Sequence, residues 1–507
     1  MKHWTREESK ERFPKAITPL GWSLLQVPLE ATLFQMSKTF GVKNYHTWDL
    51  LLWKDSYVYS RKDFFKSFRH LQFNYRQFAE ILSAVFKAAV KTACARKEKG
   101  KFKDRFFIRL FYSLFGRQVK DLVERWPEEK IHLKKIMGRD FQLQKITSLN
   151  YELFVQIKNQ MQEDSRIFFA EDFNVYFLKK LLFELLKSEL VSAGVSTDKA
   201  ESLITGLTYG QEENFSIQMA RDFQNESMST EELKKRYGHL TDNWDLFAPT
   251  LGETEEFWKF RKAPKLKELS ATNTQEEVRS LLEWNPKIDE MMTWFEKLVI
   301  IDEDLRAYSS LQYPQARELM ALVEKSEPYK ELVVKENSIY FLDLIEIEHA
   351  LKKKDFHPYF DLLEPRREAF LKALTVNPPF EFIQHDNGRF EELKKIESNS
   401  RALEGGVCVS HGIVSGEIVV VKGLDDIARI SKQTIIVLAS ATPVYAPLYA
   451  LCGGIISEMG GQLSHGAIVA REFGIPMLTG VENACVILKN GQSVILDADQ
   501  GVVKVQS

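Results

Sequence analysis

Residues 453–480, GGIISEMGGQLSHGAIVAREFGIPMLTG, constrain the fold of this chain more tightly than any other stretch. Ile455 to Ser457 form a short β-branched run that reads as a strand, and Gly460-Gly461 follows where the backbone must turn tightly. Ser464 stands at the N-cap of a predicted helix through Ala467, Ile468, Val469 and Ala470, which Gly474 and Pro476 end. His465 then falls in the first helical turn, where unpaired backbone N–H groups and the positive end of the helix dipole favour an anion. A neutral imidazole is also a competent nucleophile at pH 7. Position and chemistry together would let His465 hold a phosphoryl group, with Gly460 and Gly461 shaping a phosphate-binding turn; a histidine that merely caps or packs at a helix start is the other reading of these residues alone. Ser464 reads as a cap that positions the imidazole rather than as a nucleophile.

The same pattern of short β-branched runs bounded by turn residues surrounds this segment: Ile418 to Val421, Thr434 to Leu438, Gly454 to Ser457, Ser493 to Leu496 and Val502 to Val505. Asn490-Gly491 and Asp499-Gln500-Gly501 supply turns. The rest of the chain is of another kind. About three-fifths of the phenylalanines precede residue 190, and only Phe473 lies beyond residue 400. From about residue 70 to 190 apolar residues recur at helical spacing, as in Phe173, Tyr176, Phe177, Leu181, Phe183 and Leu186. Further helices are expected over roughly 276–325 and 344–374, the last ending before Asn377-Pro378-Pro379. Residues 384–405 are polar and close on Gly405-Gly406, as suits a hinge. The expected fold is thus α+β and multidomain: a large, mostly helical domain over 1–383, a linker over 384–405, and a small swivelling α/β domain over 406–507.

Lys plus Arg (69) and Asp plus Glu (71) nearly cancel, so no overall field recruits nucleic acid or an anionic membrane. The basic run from Lys91 to Arg105 reads as a solvated face, with docking of an acidic partner as its functional alternative. Cys94, Cys408, Cys452 and Cys485 form no CxxC pair, which argues against a disulfide framework and a zinc site, so no metal is expected on this chain. The beginning of the chain lacks a signal peptide's apolar run and no stretch approaches a membrane span, so a cytoplasmic protein is expected.

Gly460, Gly461, Ser464, His465, Ala467, Ile468, Ala470, Arg471, Glu472, Gly474, Ile475 and Pro476 match the pattern GG-x-x-SH-x-A-I-x-A-R-E-x-G-I-P. This run resembles the active-site signature of the mobile domain of phosphoenolpyruvate-utilising enzymes, where it surrounds the phosphorylated histidine. Gly406 to Gly416 is similar to that domain's opening, G-x-x-x-S-x-G-x-x-x-G, with His411 where proline is usual. Thr442 to Pro447 resembles TxPxWxP with tyrosine for tryptophan. His411 reads as a turn substitution or as a second proton carrier. Upstream, Phe13-Pro-Lys-Ala-Ile-Thr-Pro-Leu-Gly-Trp22-Ser23 is similar to the start of the helical acceptor domain of rifampicin phosphotransferases and their relatives. Tyr340 to Glu346, Pro365-Arg366-Arg367-Glu368 and Pro378-Pro379 are like later landmarks of that domain.

The resemblance implies that His465 shuttles a phosphoryl group. Arg471 would neutralise a phosphoryl oxygen or pair with Glu458 or Glu472. Arg366 and Arg367 would meet the group on the acceptor side, or form a solvated helix face. No P-loop or G-x-G-x-x-G run is present. A separate ATP-grasp-like protein is therefore the expected partner, with ATP and Mg²⁺ bound there and no cofactor on this chain. The acceptor would be a small molecule held in the helical domain; the aromatic helices permit an apolar pocket for it, and an ordinary hydrophobic core is the other reading of their Phe and Leu stripe. Two alternatives stand: transient activation of an acceptor for a later condensation or reduction, and a non-catalytic phosphohistidine regulator.

Overall fold

The computed structural model describes residues 2–5, 16–24, 26, 51–54, 56–61, 115–208, 211, 213–242, 245–259, 274–282, 286–332, 334–375, 381–387, 389–392, 402–449 and 451–506. The expected helices over 70–114, the basic run, Cys94, Phe13 to Lys15 and Pro378-Pro379 lie outside these residues. The described part of the N-terminal region is helical as anticipated, and a small α/β domain follows it. No helix among the described residues is long and apolar enough to cross a membrane.

Two long helices form the spine of the helical region, Tyr151–Ser192 and Pro286–Tyr308, packed against each other. The first is capped by Asn150, whose side chain accepts from the Leu153 N–H at 2.9 Å. Its buried stripe runs Phe168, Val175, Leu178, Leu182, Leu185, about one residue per turn. Full burial of each such side chain contributes roughly 1.5–3 kcal/mol. Phe173 and Phe177 stack at the flank of this stripe, with ring centroids 6.3 Å apart.

A five-stranded sheet that the sequence pattern did not announce accompanies the helices, in the order β2 (Leu51–Lys54), β3 (Tyr57–Arg61), β1 (Lys2–Thr5), β4 (Glu381–Gln384), β5 (Phe390–Glu392). It pairs the chain's first strand with one some 380 residues later, Trp4 opposite Phe382. Part of the segment read as a hinge is therefore strand: Gln384 ends β4, β5 follows, and Ala402–Glu404 is β6 of the next sheet. Strands this short carry too few residues to show a period of two. Residues 393–401 lie outside the described set.

The C-terminal domain is built on an eight-stranded sheet in the order β6, β13 (Val502–Val505), β12 (Ser493–Asp497), β8 (Ile413–Val420), β9 (Thr434–Ser440), β10 (Gly454–Met459), β11 (Met477–Thr479), β7 (Val407–Ser410). The four central strands, β8 to β11, are parallel, and their β-branched runs are buried on both faces. β6 and β7 lie at opposite ends of this order yet are joined through Gly405-Gly406 alone, so the sheet curls until its ends meet. A Cβ on Gly501 would lie 2.5 Å from the Gly406 carbonyl, and Gly501 has φ +69°. That seam needs glycine. The helix His465–Glu472 connects β10 to β11.

The two regions are in contact. Helices Ala446–Tyr449 and His465–Glu472 of the C-terminal domain pack on helix Phe215–Gln224, and one continuous apolar cluster includes Phe215, Met219, Leu448 and Val469.

Candidate functional site

Strand β10 delivers the chain to Gly460, which turns it with φ +118°. A Cβ there would crowd Ser464 and Thr479 at 3.2 Å. Gly461 has open space around it, and its carbonyl accepts from the Ser464 N–H at 3.0 Å. Ser464 does occupy the N-cap, with φ −71° and ψ 156°, but its hydroxyl makes no cap hydrogen bond. Instead Ser464 lines a cavity beside His465, and its Oγ is buried with no hydrogen-bond partner among the described residues. Gly466, which the motif reading passed over, has a structural reason: a Cβ there would sit 2.4 Å from the Ala441 Cβ. Only glycine lets the helix start approach that loop.

His465 is 7% exposed and faces the helical region. The Glu303 carboxylate lies against its Nδ1 in close ion-pair contact rather than as an aligned hydrogen bond. Glu303 is itself 1% exposed, and its other oxygen accepts from the Ser216 hydroxyl at 2.6 Å. A carboxylate can only accept, so the pairing favours a proton on Nδ1 and leaves the free lone pair on Nε2.

Glu303 belongs to a run of three buried acids, Asp302-Glu303-Asp304, on helix Pro286–Tyr308. Each has its own partner: Lys179 Nζ reaches Asp302 at 2.5 Å, Arg306 Nε reaches it at 3.3 Å, and Lys130 reaches Asp304 at 2.8 Å. Burial pushes the Asp302 carboxyl up, but Lys179 and Arg306 outweigh it and hold it well below the usual carboxylate range. These residues were legible in one respect. They interrupt the apolar run Trp294 to Leu305, so a helix buried all round must bury them too.

The cavity beside His465 measures about 60 Å³ and is lined on the helical side by Asp242, Arg306, Ser309 and Tyr313, and on the other by Thr442, Gly460 and Ser464. Thr442 Oγ1, like Ser464 Oγ, is buried without a hydrogen-bond partner among the described residues. Tyr445 donates to Asp242 across the same face at 3.0 Å. Ser309 and Tyr313 also line a second cavity of about 90 Å³, whose walls include Met137, Met161, Phe169 and Met320. Lys158, Gln162 and Leu344 are shared in turn with a third cavity of about 440 Å³, bordered by Trp22, Trp53 and Arg366.

The sequence-nominated cations lie elsewhere. Arg366 borders the far cavity and is held by Glu346 through two hydrogen bonds of 2.6 and 2.9 Å, and by the Phe341 carbonyl at 3.0 Å. Arg367 lies 3.9 Å from Glu364. Neither lines the His465 cavity, where Arg306 does. Arg471 donates to the Gln462 carbonyl at 2.6 Å and reaches Thr208 of the helical region at 3.4 Å, bracing the glycine turn. His411 is remote from His465 and pairs with Asp499 at 2.8 Å. The Thr18-Pro19 motif is fixed by Asp245, which accepts from the Thr18 N–H at 2.6 Å and the Thr18 hydroxyl at 2.9 Å.

Residues 430–501 match the family described as PEP-utilising enzyme, mobile domain. Within the C-terminal region the chain therefore carries a mobile domain of the PEP-utilising type. It is similar to the rifampicin phosphotransferase of Bacillus subtilis, 26% identical over 187 residues, covering 36% of this chain and 21% of that protein. It is also similar to a probable phosphoenolpyruvate synthase of Archaeoglobus fulgidus, 31% identical over 26% of this chain and 17% of that protein. A third relative is the prodigiosin synthesizing transferase PigC of Serratia marcescens, 25% identical over 51% of this chain and 35% of that protein. That likeness must extend into the helical region, because the C-terminal domain is about a fifth of the chain. The chain spans about a fifth to a third of the length of these relatives. The similarity shared with the two phosphotransferase and synthase relatives includes the mobile domain that holds His465.

Proposed function

We propose that this chain is the carrier and acceptor part of an ATP-dependent phosphotransferase. His465 Nε2 takes a phosphoryl group from an ATP-grasp-like unit outside these 507 residues, where ATP and Mg²⁺ act. The C-terminal domain then carries the group to a small molecule in the helical region. The observation that supports this reading most is Glu303: a buried carboxylate of the helical region seated on Nδ1 of the carrier histidine, beside a cavity holding Arg306 and two unpartnered hydroxyls.

The chemistry follows from the placement. With a proton on Nδ1 the phosphorylated ring is an imidazolium, a better leaving group than a neutral imidazole. As the acceptor oxygen forms its bond to phosphorus, the P–N bond breaks and its electron pair returns to Nε2, leaving neutral imidazole. The acceptor's proton passes to a carboxylate, and Asp242 is the one on the cavity wall. Arg306, Thr442 Oγ1 and Ser464 Oγ supply donors for the phosphoryl oxygens in flight. The acceptor occupies the linked cavities, its reacting oxygen at His465 and an apolar body among Met137, Met161, Phe169 and Met320. Transient activation of the acceptor for a condensation is the second reading, and the similarity to a prodigiosin synthesizing transferase over half of this chain supports it. The test is product analysis: labelled chain mixed with candidate acceptors should lose label from His465 and yield a phosphorylated compound, with Arg306→Ala slowing that step. A phosphorylated product that accumulates supports phosphotransfer; label released as phosphate only when a second substrate is present supports activation. Label that stays on the protein with every acceptor tried contradicts both.

A further inference from the structure

A second constellation lies on the C-terminal domain, away from His465. Cys408 on β7, His411 in the turn after it and Asp499 in the turn between β12 and β13 bring a thiol, an imidazole nitrogen and a carboxylate oxygen within 4.8 Å of one another. His411 Nδ1 is 2.8 Å from Asp499 Oδ1 and 3.6 Å from Cys408 Sγ. The same ring nitrogen faces both neighbours. A nucleophilic relay needs the thiol on one ring nitrogen and the carboxylate on the other, so this arrangement cannot work as one. Three donor atoms converging on a common point is what a metal ion requires. In a tetrahedral site with Zn–S about 2.3 Å and Zn–N about 2.0–2.1 Å, sulfur and nitrogen lie roughly 3.5 Å apart. The observed 3.6 Å already fits that edge.

We propose that Cys408, His411 and Asp499 form a site for a borderline-soft divalent cation of the zinc type, with water as the fourth ligand. Thiolate with imidazole selects zinc-like ions over magnesium. The carboxylate is already oriented from behind, since the Gly412 N–H donates to Asp499 Oδ1 at 3.1 Å. Cys408 is half-buried while His411 and Asp499 are exposed, so an ion has an open path. The placement also gives the site a role. Cys408 lies on β7 at one end of the sheet order and Asp499 in the β12–β13 turn near the other, while His411 sits in the β7–β8 turn, whose Gly412 carbonyl accepts from the Ala498 N–H at 3.0 Å in continuation of the β8–β12 ladder. The ion would clip the seam where the curled sheet meets itself, close to the point at which the chain enters the domain. The sequence argument against zinc weighed only cysteine pairs; here the ligands are of three types and one comes from 88 residues away.

The test uses the full chain, freed of metal by a chelator and titrated with Zn²⁺, and with Co²⁺ as a spectroscopic probe. One equivalent should bind at micromolar metal, with a thiolate-to-cobalt charge-transfer band and the visible bands of tetrahedral Co²⁺. Zn²⁺ should raise the unfolding temperature where Mg²⁺ does not. Cys408→Ser should abolish the thiolate band, and His411→Ala or Asp499→Asn should weaken binding about tenfold or more. Each variant should match the wild type's unfolding temperature in chelator, which shows that the fold is kept. No saturable uptake at micromolar metal, or a thiolate band that persists in Cys408→Ser, would overturn the proposal. Neither readout depends on His465 or on an acceptor.

Discussion

Replacing Glu303 by Gln keeps the shape of the side chain and removes its charge, and the structure says what should follow. The residue is 1% exposed, so no water can take the place of the lost charge at Nδ1 of His465. Ser216 can still donate to the amide oxygen, which preserves the local fold. A buried hydrogen bond or contact to a charged group contributes about 1.5–3 kcal/mol, which is roughly a 10- to 150-fold change in an equilibrium constant. The other polar contacts across the docked face are longer or fewer: Tyr445 to Asp242 at 3.0 Å, Arg471 to Thr208 at 3.4 Å and Arg221 to Glu472 at 3.7 Å. The docking equilibrium of the C-terminal domain should therefore shift by about one to two orders of magnitude. Hydrogen exchange read by mass spectrometry reports this without any acceptor. Peptides across 460–472 should exchange about 10- to 100-fold faster in Glu303→Gln, while β8, β9 and β10 keep wild-type rates. Unchanged exchange across 460–472 would refute the claim that Glu303 holds the docked histidine. Equal acceleration in the strands would mean lost stability, not undocking, and would refute it too.

Further outcomes follow from the same geometry. Ala316→Trp fills the apolar cavity between His465 and the far chamber, so acceptor turnover should fall steeply while His465 labelling is spared; equal loss of both would contradict the cavity's role. Gly466→Ala places a methyl 2.4 Å from the Ala441 Cβ and should cost about 1–3 kcal/mol in urea unfolding, and a cost near zero would contradict the tight approach. Burial holds His239 down at about 4 from 6.5, and burial pushes Asp245 up to about 6 from 3.8. The His239 contribution is full above its unfolded value and is lost as pH falls toward 4, whereas the Asp245 contribution is full below its unfolded value and is lost as pH rises through 6. From pH 7 to 4 the wild type should thus lose up to roughly 3 kcal/mol relative to His239→Gln and gain a comparable amount relative to Asp245→Asn, and parallel pH profiles would contradict both assignments.

The C-terminal domain was the more legible part because its signals are local. Five of its eight strands hold a β-branched run between turn residues, and Val502–Val505 was bounded to the residue, whereas β6, β7 and β11 carry no such signal and were not expected. The glycine turn, helix and stop around His465 lie within 28 residues, so short-range chemistry places the histidine without tertiary information. The helical side of the site was not legible, because it is assembled from distant parts. Glu303 meets His465 across 162 positions, and nothing in either neighbourhood announces the other. Arg366 and Arg367 drew attention as adjacent cations, yet the first is ion-paired to Glu346, which also closes a capping box with Asp343, so its duty is structural. Ser464 was placed correctly at the helix start but with the wrong partner, since the choice between a backbone N–H and a cavity is made by packing. β4 and β5 escaped notice because they are short, and β4 finds its other partner, β1, at the far end of the chain.

A phosphoryl group proposed to ride on Nε2 of His465 can be located directly. The chain should be incubated with an ATP-grasp-like donor protein and ATP labelled in the β-phosphate, then cleaved and mapped across residues 453–480, with the phosphohistidine isomer resolved by NMR. An acid-labile, base-stable label is expected on His465 as the Nε2 isomer, dependent on the donor and absent in His465→Ala and His465→Gln. Undiminished label in those variants, or label on Ser464, His411 or the Nδ1 nitrogen, would contradict the proposal.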